Sequence, residues 1–327
     1  IEQEYLLRAG YLPQITLPMS AGLGLPEESR AAMRSVGMSE FLVTVRNVET
    51  EPIYQLHPLL REFLRARAEQ TGTAEEIEGR KRLAARVLAE HEHIEAAASL
   101  LIRIRDWDGL NALIAAHADA LVRQGRSAIL ESWIRELPEN RLAGDPWLQY
   151  WLGVCRFPYA PRETRELFFR AYRHFEATAP VDLHGVLAAL NGALEAILHD
   201  SNDYRALDPW IEIANRRIRD VREWPSADLE ARLTSNLFMA IALRQPNHPD
   251  LAFWRTKAQD ISQLERDANV RISNDAILAA LSAWQGQFAG ALRLIGGMRE
   301  LTTMPDISPF SALKFAQAEA IYHMFTG

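Results

Sequence analysis

The apolar positions of this chain change period twice within its first 64 residues and then hold one period to the end. Residues 2–9 and 18–23 carry short helical patterns. Pro26-Glu27-Glu28 opens a third that runs through Ala31, Met33 and Val36 and stops at Gly37; proline and acids suit a helix N-terminus. The period then drops to two. Phe41 to Arg46 is β-branched and apolar, a polar turn holds Asn47, Glu49, Glu51 and Pro52, and Ile53 to Leu56 returns as a second strand. Pro58 sits in the first turn of the next helix, and Leu59, Leu60, Phe63 and Leu64 are expected to form the stripe that packs on the core.

From Arg80 onward strand signals vanish. Breaks at 106–109, Gln124-Gly125, Leu137-Pro138, 144–146, 157–161, Pro180, Asn202, Trp224-Pro225, 246–249, Gly286 and Pro305 leave segments of about 11 to 20 residues, hence about a dozen helices joined by short turns. Helical hairpins in succession imply a solenoid. Gly286-x-Phe288-x-x-Ala291, Phe168-x-x-Ala171, Leu152-Gly153 and, more loosely, Glu92-x-Ile94-x-x-Ala97 match parts of the tetratricopeptide pattern. The chain therefore reads as mainly all-α: a small winged-helix domain with a short β-hairpin over 1–69, a polar linker or fraying helix end over 70–79, and a tetratricopeptide-like α-helical superhelix over 80–327.

Composition narrows the function classes. Apolar residues are 48% and charged residues 24% of 327, the balance of a globular chain. No apolar run approaches the roughly 18 residues of a membrane span, so no membrane partner is expected. Cys155 is the single cysteine, which excludes an internal disulfide framework and fits a cytoplasmic setting. The net charge of −7 disfavours nucleic-acid binding over the whole chain. Winged helices often read DNA, but here Glu27 and Glu28 offset Arg30 and Arg34, and the wing tip carries Glu49 and Glu51, so no direct DNA binding is expected. Only Lys81, Lys257 and Lys314 among the 36 basic residues are lysines, which reads as codon usage. The chain opens at Ile1 and is expected to be a fragment of a longer protein.

The segment Tyr54-Gln55-Leu56-His57-Pro58-Leu59-Leu60-Arg61-Glu62-Phe63-Leu64 resembles the signature closing the winged-helix domain of MalT-like signal-transduction ATPases with numerous domains. Trp133-x-x-x-Leu137-Pro138 and Asp145-Pro146-Trp147-Leu148 resemble segments early in that group's superhelix. The resemblance implies a bacterial transcriptional regulator in which a nucleotide-binding domain precedes the winged helix and a LuxR-type DNA-binding domain often follows the superhelix. Residues 54–64 are also similar to the Met-His-Asp motif of related ATPases, with Leu56 for Met and Pro58 for Asp. That likeness implies contact between His57 and the phosphate of bound ADP. The residues alone favour a structural histidine that fixes a strand end by hydrogen bonding.

No phosphate-binding glycine loop occurs, so no catalysis and no cofactor are expected of these residues; ATP or ADP would belong to the longer protein. Glu90-His91-Glu92-His93 is not a metal motif, because histidines two apart on a helix face different ways. The one candidate groove is Trp147, Tyr150, Trp151, Arg156 and Tyr159: Trp147 and Trp151 share a helix face, Tyr150 projects elsewhere, and aromatics beside an arginine suit an inducer or a peptide. The expected partners are a small-molecule inducer or regulatory protein and the protein's own nucleotide-binding domain. The alternative is a standalone tetratricopeptide-like interaction scaffold.

Overall fold

The computed structural model describes residues 2–24, 42–48, 51–200, 202–219, 221–265 and 267–327. The third predicted helix lies outside them, as do Glu27, Glu28, Arg30, Arg34 and Glu49, on which the charge argument about DNA rests. The described chain is mainly helical with one small antiparallel hairpin, and it divides into two compact units, 1–116 and 117–327.

The first unit begins with α1 (Glu2–Ala9) and α2 (Leu17–Gly22), followed by the hairpin β1 (Val43–Val48) and β2 (Glu51–Leu56), in register Val43 to Leu56 and Val45 to Tyr54. Ile15 adds a bridge to Tyr54, each accepting from the other's N–H at 2.8 and 2.9 Å. Tyr5, Leu12, Ile15, Met19 and Leu23 are fully buried. The Tyr5 hydroxyl reaches Ser20 Oγ at 2.8 Å, which satisfies the one polar atom its burial would orphan.

Three helices complete the unit: α3 (Pro58–Gln70), α4 (Ala74–Glu90) and α5 (Ile94–Arg103). The stretch expected as a linker is helical from Ala74, because Thr73 and Glu76 form a reciprocal capping box: Thr73 Oγ1 accepts from Glu76 N, and Glu76 Oε2 accepts from Thr73 N at 2.8 Å. Arg80 then donates to both Glu4 oxygens, at 2.9 and 2.8 Å, and to the Ala68 and Thr71 carbonyls, fastening α4 to α1 and to the end of α3. The inner stripe of α3 differs from expectation. Leu64 and Ala68 are buried, while Leu59 is 69% and Phe63 63% exposed. The reason is phase: Leu64 packs so closely on Gly10 that an added Cβ there would lie 2.8 Å from Leu64 Cβ. Phe63 sits one position back, about 100° round the helix, and Leu59 lies about one turn before Phe63 on the same outer side.

The helix α6 (Trp107–Arg123) contains the boundary between the units. The second unit continues with α7 (Ser127–Glu136), α8 (Glu139–Gly144), α9 (Pro146–Arg156), α10 (Pro161–Ala177), α11 (Leu183–Asp200), a 3-10 turn at Tyr204–Leu207, α12 (Asp208–Arg219), α13 (Ala227–Arg244), α14 (Leu251–Leu264), α15 (Ala268–Trp284), α16 (Phe288–Leu301) and α17 (Pro309–Thr326). Hairpins α10/α11, α13/α14 and α15/α16 follow one another, and α11, α13 and α15 pack side by side. These three central helices are buried on nearly every side, polar positions included.

Close packing explains several motif residues. A Cβ on Gly153 of α9 or Gly192 of α11 would stand 2.8 or 2.6 Å from the Phe168 ring, and one on Gly185 2.3 Å from Phe175. Two phenylalanines of α10 thus lie against bare backbone on both neighbouring helices. The turn before Ala268 contains neither glycine nor proline and escapes sequence reading; Asp267 makes it by accepting from Asn269 N and Val270 N.

Candidate functional site

His57 caps α3. Its backbone N–H donates to Leu42 O at 2.8 Å, and its Nδ1 accepts from Leu59 N at 3.3 Å. The imidazole is exposed rather than buried, so the capping bond, not a core position, fixes the strand end. His91 and His93 do not share a helix as expected: they flank a turn at Glu92, whose φ is 64°, one closing α4 and the other opening α5. His91 Nδ1 lies 2.9 Å from Val87 O and His93 Nε2 3.2 Å from Gln14 Nε2. Among the described residues no group of three or more His, Cys, Asp or Glu is placed to hold a metal, and no helix is long and apolar enough to cross a membrane.

The five residues predicted as one groove fall into two environments. Trp147 stacks on Trp151 at 6.3 Å, meets Tyr150 and Phe175 edge-on, and donates Nε1–H to Asp182 at 3.0 Å. These rings are core or half-buried, and Tyr150 is only 6% exposed. Arg156 and Tyr159 instead belong to a surface charge cluster. Glu131 accepts from Arg135, Arg156 and the Tyr159 hydroxyl, and Arg156 also pairs with Glu163. Desolvation and the bond to Glu131 push the Tyr159 phenol up to about 12. Arg156 alone of the five lines an open cleft of about 450 Å³, floored by Ile134, Leu137, Leu142, Leu152 and Leu167 and rimmed by arginine and glutamate.

A constellation that sequence reading missed lies among the central helices. Asn191 and Glu195 sit one turn apart on α11, Arg232 and Asn236 one turn apart on α13, and Lys314 on α17. Asn236 Nδ2 donates to Asn191 Oδ1 at 2.9 Å, and Lys314 Nζ to Glu195 Oε1 at 2.6 Å. Arg232 pairs with Asp228, and its Nε–H meets no hydrogen-bond partner among the described residues. Its side chain keeps 32% of its surface accessible, yet desolvation is the largest influence on its charge, opposed and outweighed by the fields of Asp228, Tyr150 and Glu195, which hold its pKa above the ordinary value.

The charges here are mutually dependent. Desolvation acts to raise the Glu195 pKa, but Lys314 and then His199 outweigh it and hold the carboxylate ionised. Burial lowers the His199 pKa, against the opposing pull of Glu195. Burial also raises the Tyr150 phenol; this ring, predicted to line a groove, stands within the field of Arg232. The available signal was Asn191 and Glu195 interrupting the apolar run from Val186 to Leu198: a polar residue on a helix buried all round must meet a partner.

No family model matches the chain, and no curated protein or solved structure matches it. The arrangement gathers paired charges, amides and a phenol among closely packed central helices, a set of the kind that recognises polar groups.

Proposed function

We propose that the chain is the non-catalytic regulatory part of a MalT-like, ATP-dependent transcriptional regulator in the cytoplasm. Its helical array receives an inducer or regulatory protein and relays that event, through the winged-helix unit, to a nucleotide-binding domain elsewhere in the protein. The observation that carries this reading is the polar interior of the second unit. Pairing charges in a protein interior gains little or nothing over apolar packing, so a solenoid selected for stability alone has no use for Asn191, Glu195, Arg232, Asn236 and Lys314 there. An exposed His57 within the signature segment leaves its Nε2 face open to a nucleotide phosphate supplied by the partner domain. Relay requires different ligand affinity in two arrangements of the array.

The test is a thermal-shift screen of sugars, amino acids and nucleotides on the purified chain. A true inducer at 100 times its dissociation constant adds about 2.7 kcal/mol of stability, and Arg232→Met or Asn191→Leu abolishes that gain. ATP hydrolysis by the chain at an enzymatic rate contradicts the proposal.

The cleft favours a second reading, a peptide-binding scaffold. Its leucine floor and alternating rim of Arg135, Arg156, Arg170, Glu139, Glu163 and Glu166 suit an amphipathic segment. Binding lost in Arg170→Glu and kept in Arg232→Met selects the scaffold.

A further inference from the structure

The last helix of the second unit is held in two different ways. Along its length α17 packs on its sequence neighbours α15 and α16, around a small core of Ile272, Ala276, Ala279, Ile295, Met298 and Ala318 that is distinct from the main core of the unit. Its first turns do something else, reaching residues more than a hundred positions earlier. The Pro309 ring lies against Gly125, where an added Cβ would be 3.1 Å from Pro309 Cγ. The Phe310 ring meets Phe157 edge-on at 5.9 Å, and Phe157 in turn meets His199 at 4.8 Å. Lys314 spans from the face of Phe310, 4.6 Å from the ring centroid, to Glu195 at 2.6 Å. Both members of that ion pair are almost fully buried, with side-chain exposures of 7% and 10%.

We infer that Pro309, Phe310 and Lys314 form a releasable clasp that joins the end of the helical array to its beginning and closes it beside the polar interior. Two physical points favour release over permanent fixing. The clasp centres on a buried ion pair, whose attraction is largely offset by desolvation and which therefore specifies an arrangement more than it strengthens one. Beneath α17 lies a small separate core, so that among the described apolar residues only Phe310 and Leu294 tie the last hairpin to the main core, a small contact of the kind that sub-global opening breaks. The use of the clasp as a gate for ligand rests on the sensor reading above. Its existence does not.

The experiment is hydrogen exchange on the full 327-residue chain without ligand, comparing wild type with three variants. Lys314→Glu sets a second carboxylate against Glu195, and Phe310→Ala removes the aromatic contact while leaving the pair. Both are expected to speed exchange by about tenfold or more in 309–318 and 193–200 while 229–241 keeps its protection, the pattern of a local opening. The double variant Glu195→Gln, Lys314→Met replaces the charges by neutral groups of similar size and restores wild-type exchange. Unchanged exchange at 309–318 in Phe310→Ala, or equal acceleration across 117–327 in both single variants, overturns the clasp. Failure of every ligand in the screen with the clasp pattern intact counts against the sensor reading alone.

Discussion

Gly192 shows how much one residue decides. Its Cα faces the Phe168 ring, and Gly192→Ala places a methyl 2.6 Å from Cδ1. Overpacking of that kind costs about 1–3 kcal/mol, against a gain of about 1 kcal/mol in helix propensity; net destabilisation is expected. Gly296, in α16, has nothing within 4 Å of an added Cβ. There Gly296→Ala keeps the propensity gain, up to about 1 kcal/mol. Denaturant melts of the two variants must shift in opposite directions. The lysines teach a related lesson. Each of the three pairs with a glutamate and lies over an aromatic ring: Lys81 with Glu69 and Tyr11, Lys257 with Glu230 and both Trp224 and Trp254, Lys314 with Glu195 and Phe310. A compact ammonium that fits between a carboxylate and a ring explains where lysine remains.

At the scale of the element, caps set the boundaries. Asp145 accepts from Trp147 N and Leu148 N to start α9, Ser226 from Leu229 N to start α13, and Ser308 from Ser311 N to start α17. Thr73 matters most for organisation, because its capping box turns a polar stretch into a helix that carries Arg80 to Glu4. Thr73→Ala is expected to destabilise the chain by about 1 kcal/mol and Thr73→Ser hardly at all, as read by chemical denaturation. The capping pattern was legible in Thr73-x-x-Glu76. Gly72 and Gly79 suggested a linker or a fraying helix end, yet Gly79 has open space around it and Gly72 stands outside the helix.

At the scale of the whole molecule, lowered carboxylates occur in both units, with Glu131, Glu195 and Asp208 in the second, and the contrast lies between those of the first unit and Asp275. In the first, bonding to Arg80, aided by Arg8, holds the Glu4 pKa low, Lys81 does the same for Glu69, and at Asp106 the bonds from Arg82 and Gly109 outweigh desolvation. Lowered carboxylate values mean that the unfolded chain binds more protons than the folded one. Their contribution is therefore complete above the unfolded value of about 4.3 and is lost as pH falls through the lower folded values. In the second unit burial raises the Asp275 pKa, so that group favours the folded state as pH falls. Hydrogen exchange followed from pH 6 to pH 3, corrected for intrinsic rates, is expected to show protection falling earlier in 1–116 than around Asp275.

By itself the sequence determined the mainly helical class, the hairpin, most turns and the small residues that let helices approach, because these depend on local periodicity and backbone chemistry. It also placed His57 at a strand end. The candidate site was another matter. Trp147, Tyr150, Trp151, Arg156 and Tyr159 are neighbours along the chain, but helix rotation sends the first three inward, while Arg156 ends α9 and Tyr159 follows in the turn at the surface. Glu195 and Lys314 stand 119 residues apart, and only the packing of α11, α13 and α17 brings them within a hydrogen bond. Partnership across that distance is a property of how helices stack, which local pattern does not encode.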